Sequence, residues 1–108
     1  MPVSELDIAR IRRWCEDRVP QRARYQVHLE VEVVGTVVTI VERRAPWDGV
    51  GEWSSNPRAR LRFRAARWWL YWSDRNGRFH LYDLAGPWAR ISQALDELAA
   101  DPTAIFWG

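Results

Sequence analysis

The sequence predicts a two-layer α+β domain: a four-stranded antiparallel sheet made of two hairpins, with an N-terminal and a C-terminal helix. Three observations carry this prediction. Leu6, Ile8, Ile11, Trp14 and Cys15 recur at near-helical spacing behind Ser4. Residues 24–33 alternate strictly between apolar and polar, the period of a half-buried strand. Asn76-Gly77 lies between two aromatic-rich runs, and that dipeptide readily takes positive φ at both positions of a type I′ hairpin turn. Antiparallel sheets commonly bury one face and wet the other, so both helices are expected on the buried face.

Ser4 followed three positions later by Asp7 is a helix-opening pattern, and the helix runs over about residues 4–18 until Pro20 stops it. Its polar face carries Arg10, Arg12, Arg13, Glu16 and Asp17, read as a solvated face with pairs such as Arg13 and Asp17. In the first strand Val27, Leu29, Val31 and Val33 point one way, and His28, Glu30 and Glu32 the other. A tight turn at Val34-Gly35 leads into a second strand, residues 36–43, setting Val31 opposite Val38 and Leu29 opposite Ile40.

Residues 44–58 break the pattern with Pro46, Gly49, Gly51, Asn56 and Pro57, which reads as a long loop. It holds Trp47 and Trp53, expected to fold back as a lid over a surface pocket or as a plug at the end of the core. Residues 59–64 alternate again, with Leu61 and Phe63 inward and three arginines outward. A two-residue turn at Ala65-Ala66 pairs Leu61 with Leu70, Arg62 with Trp69 and Arg60 with Tyr71. The Asn76-Gly77 turn then sets Ser73 opposite His80, Trp72 opposite Leu81 and Tyr71 opposite Tyr82. Gly86-Pro87 ends the sheet, and Trp88, Ile91, Leu95 and Leu98 mark an amphipathic helix over about residues 88–100. The apolar tail ending in Ile105-Phe106-Trp107 is expected to pack on the body.

With 108 residues the chain has room for one core, so residues 1–108 are read as a single domain. Its 47% hydrophobic and 28% charged residues are ordinary for a folded soluble protein. No apolar run approaches the ~20 residues that cross a bilayer, and the N-terminus has no signal-peptide pattern. The expected location is the cytoplasm, with no membrane partner. Cys15 alone builds neither a disulfide nor a metal site, and is read as a half-buried helix residue. No phosphate-cradling glycine loop, nucleophile elbow or zinc-ligand cluster is present, so neither metal nor cofactor is expected. All 16 basic residues are arginine, which GC-rich coding explains, and a net charge of +2 permits an anionic partner without demanding one. Eight tryptophans are more than one small core holds, because a buried indole also needs a partner for its N–H.

The surplus aromatics define the functional expectation. Under the registers above, Trp69, Tyr71, His80 and Tyr82 share the wet face with Arg60, Arg62 and Arg64. Unpaired bases stack on such rings while arginines meet phosphates, so RNA or single-stranded DNA is the leading ligand class. The residues expected to bind are Arg60, Arg62, Trp69, Tyr71, His80 and Tyr82. An alternative is a metal-independent, toxin-like ribonuclease in which His28 and His80 share acid and base work, Arg60, Arg62 or Arg64 stabilises the transition state and Tyr71 or Tyr82 donates a proton. A homodimer burying this face is the third reading, since Trp, Tyr and Arg are enriched at interface centres.

The segments Leu6-Asp7, Trp14-Cys15-Glu16, Glu52-Trp53, Trp69-Leu70-Tyr71-Trp72, Asp74-Arg75-Asn76, His80 with Tyr82, and Asp101-Pro102-Thr103-Ala104-Ile105-Phe106-Trp107-Gly108 are specific together. With the stretch from Val38 to Trp47 they cover nearly the whole chain. On them the chain resembles an uncharacterised bacterial family, common in actinobacteria, known as domain of unknown function 3024. The resemblance implies an intracellular bacterial single-domain protein; it brings no activity and no catalytic residues.

Overall fold

The computed structural model describes residues 3–108. Helix α1 (Glu5–Arg18) begins where Ser4 Oγ accepts the Asp7 amide at 3.1 Å. Glu5 and Asp7 in its first turn and Arg18 in its last complement the helix dipole. A short 3-10 turn, Gln21–Ala23, then delivers the chain to the sheet.

Strands β1 (Val27–Val34), β2 (Val37–Arg44), β3 (Ser54–Arg64), β4 (Arg67–Ser73) and β5 (Phe79–Leu81) form one antiparallel sheet in sequential order, followed by α2 (Ile91–Ala100). The α+β class is the predicted one. The sheet has five strands instead of four because the alternating residues 59–64 belong to a full strand joining the two hairpins. Helix α1 packs against β1 and against α2, and α2 packs against β4. Between the layers Ile11, Cys15, Ile40, Leu61, Trp68, Leu70 and Leu98 are almost completely buried. Each aliphatic side chain such as Leu61 or Leu70 contributes about 1.5–3 kcal/mol by leaving water.

Turn chemistry decides which side chains face the helices. At the first hairpin Val34 pairs with Val37, so Gly35-Thr36 is the turn, one residue later than Val34-Gly35, with Gly35 at φ 60°. Val31 therefore faces Ile40 and Val33 faces Val38. A two-residue slip in pairing preserves the faces, so the core side is as expected. The second turn is Ala65-Ala66 as predicted, giving Leu61↔Leu70, Arg62↔Trp69 and Arg60↔Tyr71.

The third turn differs. Asp74 Oδ1 accepts the amides of Asn76 (2.8 Å) and Arg78 (3.0 Å), and the Asp74 amide donates to the Arg78 carbonyl. Three residues, Arg75-Asn76-Gly77, thus form the loop, and among them only Gly77 has positive φ (79°). That is the three-residue hairpin with a left-handed glycine, not the type I′ turn. The pairing becomes Ser73↔Phe79, Trp72↔His80 and Tyr71↔Leu81. A one-residue slip exchanges the two faces of a strand. His80 and Tyr82 therefore fall on the helix side, and Phe79 and Leu81 on the open side.

The predicted loop over residues 44–58 is shorter, because β2 extends to Arg44 and β3 starts at Ser54. Pro57 lies within β3 at a register shift opposite Ile40 and Val41, where its missing N–H is tolerated. Helix α2 begins at Ile91, later than predicted, because Trp88 is used as a β-bridge to Trp68, with hydrogen bonds of 2.7 and 3.0 Å in both directions. The tail packs as expected: Asp101 carboxylate oxygens accept the Phe106 and Trp107 amides, Trp107 Nε1 donates to the Leu98 carbonyl, and Phe106 is buried.

Candidate functional site

Neither helix covers the second side of the sheet, so its side chains form an open face. From β3 it presents Arg60, Arg62 and Arg64, from β4 Arg67, Trp69, Tyr71 and Ser73, and from β5 Phe79 and Leu81. Arg60, Arg62, Trp69 and Tyr71, four of the residues expected to bind, thus share this face. Although the register sets Arg60 beside Tyr71 and Arg62 beside Trp69, the guanidinium groups lean to other rings. Arg60 lies 4.0 Å from the Phe79 ring centre and donates from Nε to Thr39 Oγ1 at 3.0 Å. Arg64 lies 4.8 Å from the Trp69 ring, and Trp69 Nε1 donates back to the Arg64 carbonyl at 3.0 Å. These contacts fix both rings with their faces towards cations. Arg62 is exposed and, among the described residues, has no ion-pair partner.

The β1 end of the same face is acidic but partly neutralised. Glu30 Oε1 lies 3.1 Å from His28 Nε2 and Glu30 Oε2 lies 3.6 Å from Arg43 Nη1, while Glu32 is exposed. Trp53 packs on His28 at 5.1 Å between ring centres, and Trp47 stands 97% exposed. Neither indole closes over a pocket, and neither plugs the core. The lid and plug expectations both fail because the turn from Pro46 to Gly49, closed by a 3.0 Å hydrogen bond, holds Trp47 out into solvent.

His80 and Tyr82 leave the proposed site, a correction that follows from the Asp74 turn. Tyr82 is 4% exposed, and its hydroxyl donates to Glu97 Oε2 at 2.5 Å. Burial first, and then the Glu97 carboxylate, push its pKa up to about 12, and the buried hydroxyl is committed to Glu97 rather than presented on the open face. His80 stacks on Trp72 at 4.6 Å, and its Nε2 lies 2.7 Å from Asp74 Oδ2. His80 and the amides of Arg78 and Asn76 hold the Asp74 carboxyl below its ordinary value.

His28 and His80 do not converge. They lie on β1 and β5, the two edges of the sheet, four strand spacings or roughly 19 Å apart, and on opposite faces. The shared acid and base work of the ribonuclease reading has no geometry here. Cys15 is 1% exposed, not half-buried, and burial raises its thiol to about 12, which makes it inert. Among the described residues no group of three or more His, Cys, Asp and Glu gathers in a metal-binding arrangement. Among the described residues no helix is long and apolar enough to cross a membrane.

Sequence reasoning missed Phe79 and Leu81 as open-face residues, and Arg67 at its margin. Asp74 two residues before Asn76 was the available signal, since an aspartate there captures downstream amides and lengthens the turn.

Fold and face together define a two-layer α+β protein with an uncovered arginine and aromatic sheet surface. The chain belongs to the family described as Domain of unknown function (DUF3024), whose model matches residues 1–108, the whole length. Comparison with curated proteins and with solved structures gives no significant match.

Proposed function

We propose that the β3–β5 half of the open face binds single-stranded RNA or DNA. The observation that carries this reading is a division of charge across one continuous surface. Arg60, Arg62, Arg64 and Arg67 stand among Trp69, Tyr71 and Phe79, and no acidic side chain projects from these three strands on that side. The acids of the face, Glu30 and Glu32, sit on the far edge strand, with Glu30 engaged by His28 and Arg43. A polyanion laid along β3 to β5 meets cations at its phosphates and half-exposed rings at its bases, and avoids the acidic edge. Base stacking on one ring contributes about 1–3 kcal/mol, while each phosphate contact adds a salt-dependent increment.

The test is tryptophan fluorescence titration with mixed-sequence RNA and DNA oligonucleotides at two salt concentrations. Quenching that weakens with salt is expected. Trp69→Ala should reduce affinity by about 1–3 kcal/mol at either salt. Arg62→Gln with Arg64→Gln should flatten the salt slope by about 1.4, or 0.7 per lost single-strand phosphate contact. Absence of quenching with every oligonucleotide at low salt would refute the reading. A dimer mass in size exclusion that Trp69→Ala abolishes would assign the face to a second copy of the chain.

A further inference from the structure

We propose that the helix side of the sheet holds a second site, a cleft that takes a small organic anion with an apolar end. The cleft, of about 270 Å³, opens between the C-terminal end of α1, the helix-side ends of β1, β2 and β3, and the C-terminal tail. One wall is polar. Glu42, with a side chain only 9% exposed, accepts from Arg44 Nε at 2.8 Å and from Arg58 Nη2 at 2.9 Å, both at the same oxygen, Oε1. Arg18 brings a third guanidinium, 4.1 Å from the Trp107 ring. Three guanidinium groups thus line the cleft, and Glu42, paired with two of them, is the one carboxylate among its lining residues. Asp101 also acts on Arg18 electrostatically, but its oxygens accept the Phe106 and Trp107 amides.

The donors are under-used as well as the charge. A guanidinium carries five N–H groups, and Arg44 and Arg58 each give Glu42 one. Arg58 Nε is buried with no hydrogen-bond partner, as is Arg43 Nε on the opposite side of the sheet, so the unused donors facing the cleft are those of the guanidinium ends. The register shift in β3 beside Val41 is what brings Arg58 to Glu42, so the strand irregularity and the cation cluster are one feature.

The other wall is Val19, Pro20, Val27 and Leu29. An anion bound by the arginines would lay a short apolar group against these residues. At about 270 Å³ the cleft falls just short of the ~300–1,000 Å³ typical of drug-sized ligands, which suits a branched-chain carboxylate. It lies on the opposite side of the sheet from Trp69 and Tyr71, so it is separate from the proposed nucleic-acid face.

The probes are acetate, 4-methylpentanoate and inorganic phosphate, titrated calorimetrically into the full-length chain at low ionic strength. One-to-one binding of 4-methylpentanoate is expected, at least about tenfold tighter than acetate because of the added buried carbons. Arg18→Gln and Arg44→Gln, both at exposed side chains, should each weaken it about tenfold. Arg62→Gln with Arg64→Gln, on the opposite side, should leave it unchanged. Near-ultraviolet circular dichroism checks that every variant is folded. Absence of saturable binding with all three anions would overturn the proposal, and so would an affinity indifferent to both Arg18→Gln and Arg44→Gln. Phosphate and acetate matching 4-methylpentanoate would overturn its apolar half.

Discussion

Glu42→Gln is expected to destabilise the fold by about 2 kcal/mol at neutral pH and to flatten the acid limb of its stability. Glu42 lies 7% exposed on the helix side of β2, opposite Leu29, where an aliphatic residue would continue the core. Breaking a fully buried pair by removing one partner costs about 3–5 kcal/mol. Arg44 is 57% exposed and Arg58 29%, so solvent compensates much of that loss, and the glutamine oxygen retains one acceptor. Burial alone would raise the Glu42 carboxyl, but hydrogen bonds and charges from Arg44 and Arg58 outweigh it and hold the pKa below the ordinary 4.5. A folded-state pKa below the unfolded one means that the stabilisation is complete above about pH 4.5 and is lost as pH falls through the lower folded value. Urea unfolding of the wild type and Glu42→Gln at steps from neutral to acidic pH reads both effects. The difference between them should be largest at neutrality and should close in acid. Equal stabilities at neutral pH, or a gap that stays constant down to acid, would refute the reasoning.

Two further changes test the turn and the tyrosine. Ala65 and Ala66 hold φ of 52° and 58°, a left-handed conformation that costs a residue with a Cβ about 1–2 kcal/mol. Ala65→Asn with Ala66→Gly should therefore raise the urea midpoint by an increment worth about 1–2 kcal/mol at unchanged slope. Tyr82→Phe removes the hydroxyl bonded to Glu97 and should cost about 1–2 kcal/mol in the same assay. It should also delete a phenolate absorbance step at about 12.

Patterns of apolar residues and local turn chemistry were legible in the sequence to different degrees. The helix starting behind Ser4 and the alternation in β1, β2 and β3 were visible because burial on one side imposes periods that a single sequence displays. The Ala65-Ala66 turn was found by register, although alanine has no preference for such a turn, since a three-residue turn would not align Leu61 with Leu70. What escaped were features set by contacts between distant segments. Trp88 resembles the first turn of a helix in sequence, but the open edge of β4 at Trp68 claims its backbone first. The Glu42 cluster was invisible because it joins β2 to a β3 residue displaced by an irregularity that nothing local announces. Of the eight tryptophans, Trp68 alone is fully buried among the described residues, as the shortage of core space implies. Which seven stay partly wet depended on registers.

The Asp74 carboxylate shows how far one side chain reaches into function. Had Asn76-Gly77 turned in two residues, His80 and Tyr82 would face solvent beside Tyr71, and Phe79 and Leu81 would enter the core. That surface would add an imidazole and a second phenol to Tyr71 among the arginines. By capturing the Asn76 and Arg78 amides, Asp74 adds one residue to the loop and exchanges the sets. The open face then carries a phenyl ring under Arg60 and an exposed leucine beside Tyr71, which suit stacking and apolar contact. The same carboxylate engages the displaced His80 at the sheet edge. The exchange therefore takes His80 and Tyr82 away from the surface that Tyr71 shares with Arg60 and Arg62, and leaves His28 on the far edge strand as the imidazole of that face.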